Sequence, residues 1–253
     1  MKSQYILPIT IVVAGLLIAG AVFWVGKSGT IAPNTTNGQQ QNITFPPVTS
    51  ADHILGNPNA PVKVIEYADL ECPYCKVFET TMHQVMDYYG QSGRVAWVYR
   101  PFPLAQIHSK APQEAEAAEC AADQGGSTAF FNYIDKLYAI TPSENGLDLA
   151  QLPVIAGDVG LNVTQFNTCL SSGKYASKVQ QSYNDAIAAG GTGTPYILIT
   201  VQGSKDAVPL EGAQPYDSMR AAIDAVLSTI PGGSATTASS TPAATPTAPA
   251  ATQ

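Results

Sequence analysis

Positive charge is scarce in this 253-residue chain, where lysine and arginine together number 12 against 19 acidic residues. All nineteen acids lie between Asp52 and Asp224 and only ten basic residues accompany them, so the foldable part carries a formal charge of −9. A surface of that sign repels a phosphate backbone, which excludes nucleic acid as a partner. No run of like charges is long enough to act as an interaction tail. Cysteine is also sparse, at four. Cys72 and Cys75 make one CxxC, but Cys120 and Cys169 stand 49 positions apart and make no second one. A zinc cage built on thiols needs matching spacing at both ends, so neither a metal nor a cofactor is expected.

The two ends of the chain lack what a core needs. Residues 231–253 are nearly all Ala, Thr, Pro and Ser and read as a disordered tail or stalk. Residues 27–49 hold almost no apolar residue and no acid, as a flexible linker does. Before that linker, residues 5–25 form an apolar run interrupted by little more than Pro8 and Thr10, within residues 1–26. This is long enough to span a bilayer as an anchor. A signal peptide cleaved near Ala19-Gly20-Ala21 is the competing reading, and either one exports the domain behind it. The foldable part is then 50–230, a comfortable single domain in an oxidising compartment.

Within it, Val62 to Ala68 (VKVIEYA) is β-branched and aromatic and reads as a strand. The chain then runs through Asp69-Leu70-Glu71 into Cys72-Pro73-Tyr74-Cys75. Pro73 suits the first position of a helix, which makes Cys72 its N-cap, and Phe78, Met82, Val85, Met86 and Tyr89 continue an apolar face to Gly90. Arg94 to Tyr99 is a second strand, completing a βαβ unit. A helical region without strand signals comes next, at about 108–190: Pro112 to Asp123, Ser127 to Ile140, Leu147 to Val159, a short helix capped by Asn162, and Lys174 to Ala189. After Gly190 to Thr194 come Pro195, a strand at Tyr196 to Val201, another at Val208 to Leu210, and an amphipathic helix through Met219, Ile223, Val226 and Leu227.

A cysteine at a helix N-terminus meets free backbone N–H groups and positive potential, and CxxC spacing brings a second thiol within hydrogen-bond reach. Cys72 is therefore the candidate nucleophile and Cys75, one turn further in, the resolving thiol. A purely structural crosslink over so short a loop would add little stability. Pro195 opens a strand after a glycine-rich bend. A cis bond there would free the Thr194 backbone to pair with an extended substrate beside Pro73 and Tyr74, whereas a trans proline would simply begin the strand. Glu66, six residues before Cys72, is either a solvated edge residue or a buried carboxyl that takes and returns the Cys75 proton. By elimination Cys120 and Cys169 pair with each other, the alternative being two free buried thiols. His108 either shapes the groove near the site or is a hydrogen-bonded loop histidine.

The segments ILGNPNAPVKVIEYADLECPYCKVFE, VYRPFPLAQIH, AAECAAD and GTGTPYILI, in that order, resemble the DsbA-like family of extracytoplasmic thiol-disulfide oxidoreductases. The resemblance covers about His53 to Ile230. It implies an α/β thioredoxin fold with an inserted all-helical subdomain, here preceded by a transmembrane helix. It also implies Cys72 as nucleophile, Cys75 as resolving thiol, Pro195 as cis-proline, Glu66 as the buried acid and Cys120–Cys169 as an additional disulfide. The partners it implies are reduced exported polypeptides and a membrane reoxidant of the DsbB or vitamin K epoxide reductase-like type, met by a monomer on the extracytoplasmic side of the membrane. Strongly oxidising members carry histidine where Tyr74 stands, and a phenol cannot supply that positive charge. Relatives with CPYC include isomerase-like and glutaredoxin-like proteins, but a linker as short as 27–49 is not the dimerisation domain that isomerases use.

Overall fold

The computed structural model describes residues 43–231. The anchor expected over 5–25, most of the linker and almost all of the tail lie outside the described residues. Among the described residues, no helix is long and apolar enough to cross a membrane.

Five strands form one mixed sheet: β1 (His53–Gly56), β2 (Val62–Ala68), β3 (Val95–Pro101), β4 (Tyr196–Val201) and β5 (Ala207–Glu211), in the order β1-β3-β2-β4-β5. Only β2 and β3 run parallel, with Glu66 opposite Tyr99, and β2 pairs antiparallel with β4, with Glu66 opposite Ile197. The parallel pair is joined by α1 (Pro73–Val85), whose last turn widens to π geometry over Met86–Gly90. Every residue of β2 is buried, as expected of a central strand covered on both faces. Successive side chains alternate between those faces. Val62, Val64 and Ala68 join one apolar cluster with α1, Trp97 and Tyr99, while Ile65 and Tyr67 join the other with Phe102, Tyr196 and Leu198. The same alternation sends Glu66 to the α1 side.

Between β3 and β4 lie α2 (Ala111–Ile140), a single 3-10 turn at Leu149–Gln151, α3 (Leu152–Asp158), α4 (Val163–Ser171) and α5 (Ala176–Ala188). The two helices expected at Pro112 to Asp123 and Ser127 to Ile140 are one long helix with a kink. Gly125 and Gly126 break its dihedrals, and Gly126 sits at φ +62°, where a side chain would be strained. Asn162 caps α4 by accepting the Gln165 N–H at 3.0 Å. Cys120 of α2 and Cys169 of α4 form a disulfide with a Cα separation of 5.8 Å. The last helix, α6 (Tyr216–Ser228), packs on α1, where the Tyr89 hydroxyl donates to Asp224 at 2.7 Å.

Strand β1 has no counterpart in the elements expected from the sequence. Its four residues carry only Ile54 and Leu55 as apolar signal, and its position is fixed by distant partners instead. His53 stacks on Phe130 with ring centroids 3.7 Å apart and contacts Glu119 at 3.0 Å, and the Ile54 N–H donates to Ser127. The segment before it is tied to the sheet by Arg100, whose guanidinium donates to Asp52, the Tyr67 hydroxyl and the carbonyls of Pro46 and Pro47.

Candidate active site

Strand β2 ends at Ala68, and the three residues after it turn the chain into α1. Asp69 holds that turn. Its carboxylate accepts the N–H groups of Glu71 and Leu104, each at 2.8 Å, and lies 2.9 Å from His108 Nδ1. The Asp69 N–H points at Cys75 Sγ, 3.5 Å away. Burial pushes the Asp69 carboxyl up, and those donors oppose the shift. His108 is thus a buried loop histidine whose partner braces the turn before the dithiol, and of its two expected roles the hydrogen-bonded one describes it.

Cys72 is the N-cap of α1, with extended φ −78° and ψ 122°, and Pro73 comes next at the first turn. The cysteines are free thiols, with Cys75 fully inaccessible and Cys72 nearly so. Their acidities split. A hydrogen bond from the Cys75 thiol does most to bring Cys72 down to about 6; burial opposes it, while Thr194 and the backbone N–H groups of Cys75 and Tyr74 act with it. Burial and the loss of its proton's favoured position beside Cys72 push Cys75 well above the ordinary thiol value.

Thr194-Pro195 is a cis peptide, and the Thr194 carbonyl lies 3.5 Å from Cys72 Sγ. The bend leading to it is tightly packed. A Cβ at Gly191 would come within 3.0 Å of the Ala186 carbonyl and 3.2 Å of Phe102, so glycine lets the chain pass close to α5 and to Phe102. Pro195 is buried while Thr194 stays partly open. Tyr74 projects outward, 65% exposed, as do Val77 in the first turns of α1 and Ile107 beside His108.

Glu66 is fully buried. Trp97 Nε1 donates to its Oε2 at 2.9 Å, and among the described residues Oε1 has no hydrogen-bond partner. Burial raises its pKa well above the usual carboxyl range; the charge of Glu79 adds to this, the Trp97 bond opposes it, and a negative charge on Cys72 raises it further. Of the two roles expected for Glu66, the solvated edge position is therefore the one that fails.

Two buried acids near the turn before Cys72 carry no signal in the sequence. Glu71 is buried immediately before Cys72, and two backbone groups of a left-handed run at Ser143, Glu144 and Asn145 serve it. The Glu144 N–H donates to its carbonyl at 2.8 Å and the Asn145 N–H to its Oε2 at 2.5 Å. Glu114 of α2, also buried, faces Glu71, and burial together with that carboxyl raises it to about 10. An acid in the first turn of a helix reads as an ordinary dipole-compensating residue, so nothing in the sequence marks Glu114.

A mixed sheet that presents a helix-capping dithiol to a cis-proline defines a thioredoxin-fold thiol protein. The chain belongs to the thioredoxin family, whose model matches residues 48–225. Its structure is similar to that of DsbA2 from Pseudomonas aeruginosa, with 30% identity and a TM-score of 0.58 over 68% of this chain and 93% of that one. Alpha-DsbA1 from Wolbachia pipientis is similar at 25% identity and a TM-score of 0.62, over 71% and 92%. BdbD from Bacillus subtilis shares the fold at 20% identity and a TM-score of 0.63, over 74% and 98%. These similarities bear out the expected DsbA-like thioredoxin architecture. Curated relatives include Na(+)/H(+) antiporter NhaA 3 of Salinispora tropica, 34% identical over 158 residues, and NhaA 1 of Mycolicibacterium gilvum, 30% identical over 164. The matched residues are 62% and 64% of this chain but 23% and 25% of those proteins, so the chain spans about a quarter of their length.

Proposed function

We propose that the protein is a thiol-disulfide oxidoreductase that oxidises dithiols of exported polypeptides through Cys72 and Cys75. The observation that carries this reading is a free dithiol whose first cysteine caps α1 and lies 3.5 Å from the carbonyl before a cis-proline, and the split acidities of its two sulfurs agree with it. In the disulfide form, a substrate thiolate attacks Cys72 Sγ, the Cys72–Cys75 bond breaks, and Cys75 leaves with the electron pair and takes a proton from Glu66. A second substrate thiolate then attacks the substrate sulfur of the mixed disulfide and expels Cys72 as a thiolate. The substrate loses two electrons and the dithiol gains them. A thiolate stabilised at Cys72 favours this reduced product, which makes the disulfide form the better oxidant. Thr194 would align the substrate chain through its backbone, and Pro73 and Tyr74 would border it.

Export brings the remaining features of this function: tethering through residues 5–25, an extracytoplasmic catalytic domain, and regeneration by a membrane reoxidant of the DsbB or vitamin K epoxide reductase-like type. Tyr74 favours a second reading. Its exposed phenol offers no positive charge to the Cys72 thiolate, as a reductase or isomerase would tolerate. Measuring the reduction potential of Cys72–Cys75 separates the two: a value near about −120 mV supports the oxidase, and one near about −270 mV the reductive role. Refolding of a reduced test protein at the same rate with the protein and its Cys72→Ser variant would leave only a peptide-binding module.

A further inference from the structure

Between α1 and α2, three side chains converge whose chemistry the dithiol reaction does not use. Glu79 and His83 lie one turn apart on α1, and Asp135 comes from α2. His83 Nε2 is 3.1 Å from Asp135 Oδ1 and 3.3 Å from Glu79 Oε1, and the three ligand atoms all lie within 4.8 Å of one another. They line an open pocket of about 340 Å³ together with Lys76, Thr80 and Tyr138. Lys76 is not the cation for this cluster, because its ammonium donates to the Thr141 carbonyl at 2.6 Å.

The decisive group is Glu79. It is 6% exposed, it faces the pocket, and neither of its carboxylate oxygens has a hydrogen-bond partner among the described residues. The single Nε2 proton of His83 is aligned with Asp135, and it reaches Glu79 only at ion-pair distance. One imidazolium therefore hydrogen-bonds one of the two acids and stands only at ion-pair distance from the more deeply buried one. A divalent cation at the centre would serve all three. With tetrahedral metal–ligand bonds of about 2.0 to 2.1 Å, neighbouring ligand atoms sit about 3.3 to 3.4 Å apart, close to the 3.1 and 3.3 Å separations found here. His83 is held for this by Trp97, whose ring meets the imidazole edge-on at 5.6 Å.

We propose that Glu79, His83 and Asp135 form a binding site for a divalent transition-metal ion of the zinc class, with its remaining coordination positions open to the pocket. Cysteine spacing alone gives no sign of such a site, which is why the sequence led to no metal. One imidazole and two carboxylates suit Zn²⁺ or Co²⁺, and no cysteine is required. Glu79 is also the acid whose charge acts on Glu66, so an ion here lies within electrostatic reach of the dithiol.

The test uses the full chain with Cys72–Cys75 closed as a disulfide, so that no free thiol can ligate the probe. Titration with Zn²⁺ should show one ion bound per chain, and Co²⁺ should give visible bands without thiolate charge transfer. His83→Ala and Asp135→Asn should each weaken Zn²⁺ by about tenfold or more, while Asp217→Asn, on α6, should bind like the wild type. Near-ultraviolet circular dichroism confirms that each variant is folded; the half-exposed His83 and Asp135 are replaceable without opening the core. Absence of binding at about 1 mM Zn²⁺ or unchanged affinity in either variant would overturn the site.

Discussion

Trp97 donates its indole N–H to Glu66 Oε2 at 2.9 Å, across the parallel pair of strands and beneath the dithiol. This bond favours the charged carboxylate, whereas burial and the charge of Glu79 favour the acid. If Glu66 exchanges a proton with Cys75, Glu66→Gln should slow reduction of the Cys72–Cys75 disulfide by about a hundredfold, at the lower end of what a positioned acid or base contributes. Trp97→Phe removes the one bond that lowers the Glu66 pKa, so the high-pH limb of the same rate profile should move further up. Stopped-flow fluorescence over a pH series measures both, and an unaltered rate in Glu66→Gln would reduce Glu66 to a structural residue.

The second prediction concerns pH and redox together. The Cys72 thiol ionises near 6 in the folded dithiol form, against about 8.5 for an unfolded cysteine. Its folded pKa is depressed, so the stability it adds to the reduced protein is complete above about 8.5 and is lost as pH falls through about 6. Cys75 keeps its proton throughout this window. Reduction therefore takes up two protons below about pH 6 and one above it, and the potential should fall by about 59 mV per pH unit below that point and about 30 mV above it. Rapid alkylation should likewise label Cys72 alone, with a midpoint near pH 6. A single slope from pH 5 to 8 would contradict the split acidities.

Much of this site was legible in the order of the residues. CPxC after a β-branched strand fixes a helix-capping cysteine through local physics alone, because proline at the first turn and the alternation of β2 leave few alternatives. The partners that tune it were not legible, because they come from far along the chain. Asp69 meets His108, Glu71 meets Glu114 and Asn145, and Glu66 meets Trp97, and no periodicity records such pairings. The kinked α2 and the strand β1 escaped for a local reason. Gly125-Gly126 reads locally as a break between helices, and four residues with two apolar side chains carry too little pattern to be seen as a strand.

The Cys120–Cys169 disulfide is remote from the reaction and should act on stability. It closes a loop with a sequence separation of 49, for which the chain-entropy model gives about 4 kcal/mol. Replacing both cysteines by serine should lower the unfolding free energy by about that amount. Oxidation of a small dithiol substrate should be unchanged at temperatures where the variant stays folded. Urea denaturation compared with a turnover assay checks the pair of outcomes; a large loss of turnover in the folded variant would mean that the helical region shapes the site.

The buried Glu71–Glu114 pair supplies a stability prediction of unusual sign. Among the described residues Glu114 finds no hydrogen bond that would hold a negative charge, and burial, then Glu71, then Asp69 raise it to about 10. In the unfolded chain the same carboxyl ionises near about 4.3. Its folded pKa is raised, so the contribution it makes to stability is intact below about 4.3 and is lost progressively as the pH rises toward about 10. Glu114→Gln keeps a donor for Glu71 and removes the titration. The variant should therefore match the wild type near pH 4.5 and exceed it at pH 8, by roughly 1 to 3 kcal/mol, the scale of an uncompensated buried polar group. Thermal unfolding of both proteins across that range measures the gap. A gap that does not widen with pH would show that Glu114 is already ionised in the folded protein, and that the turn before Cys72 tolerates two carboxylates side by side.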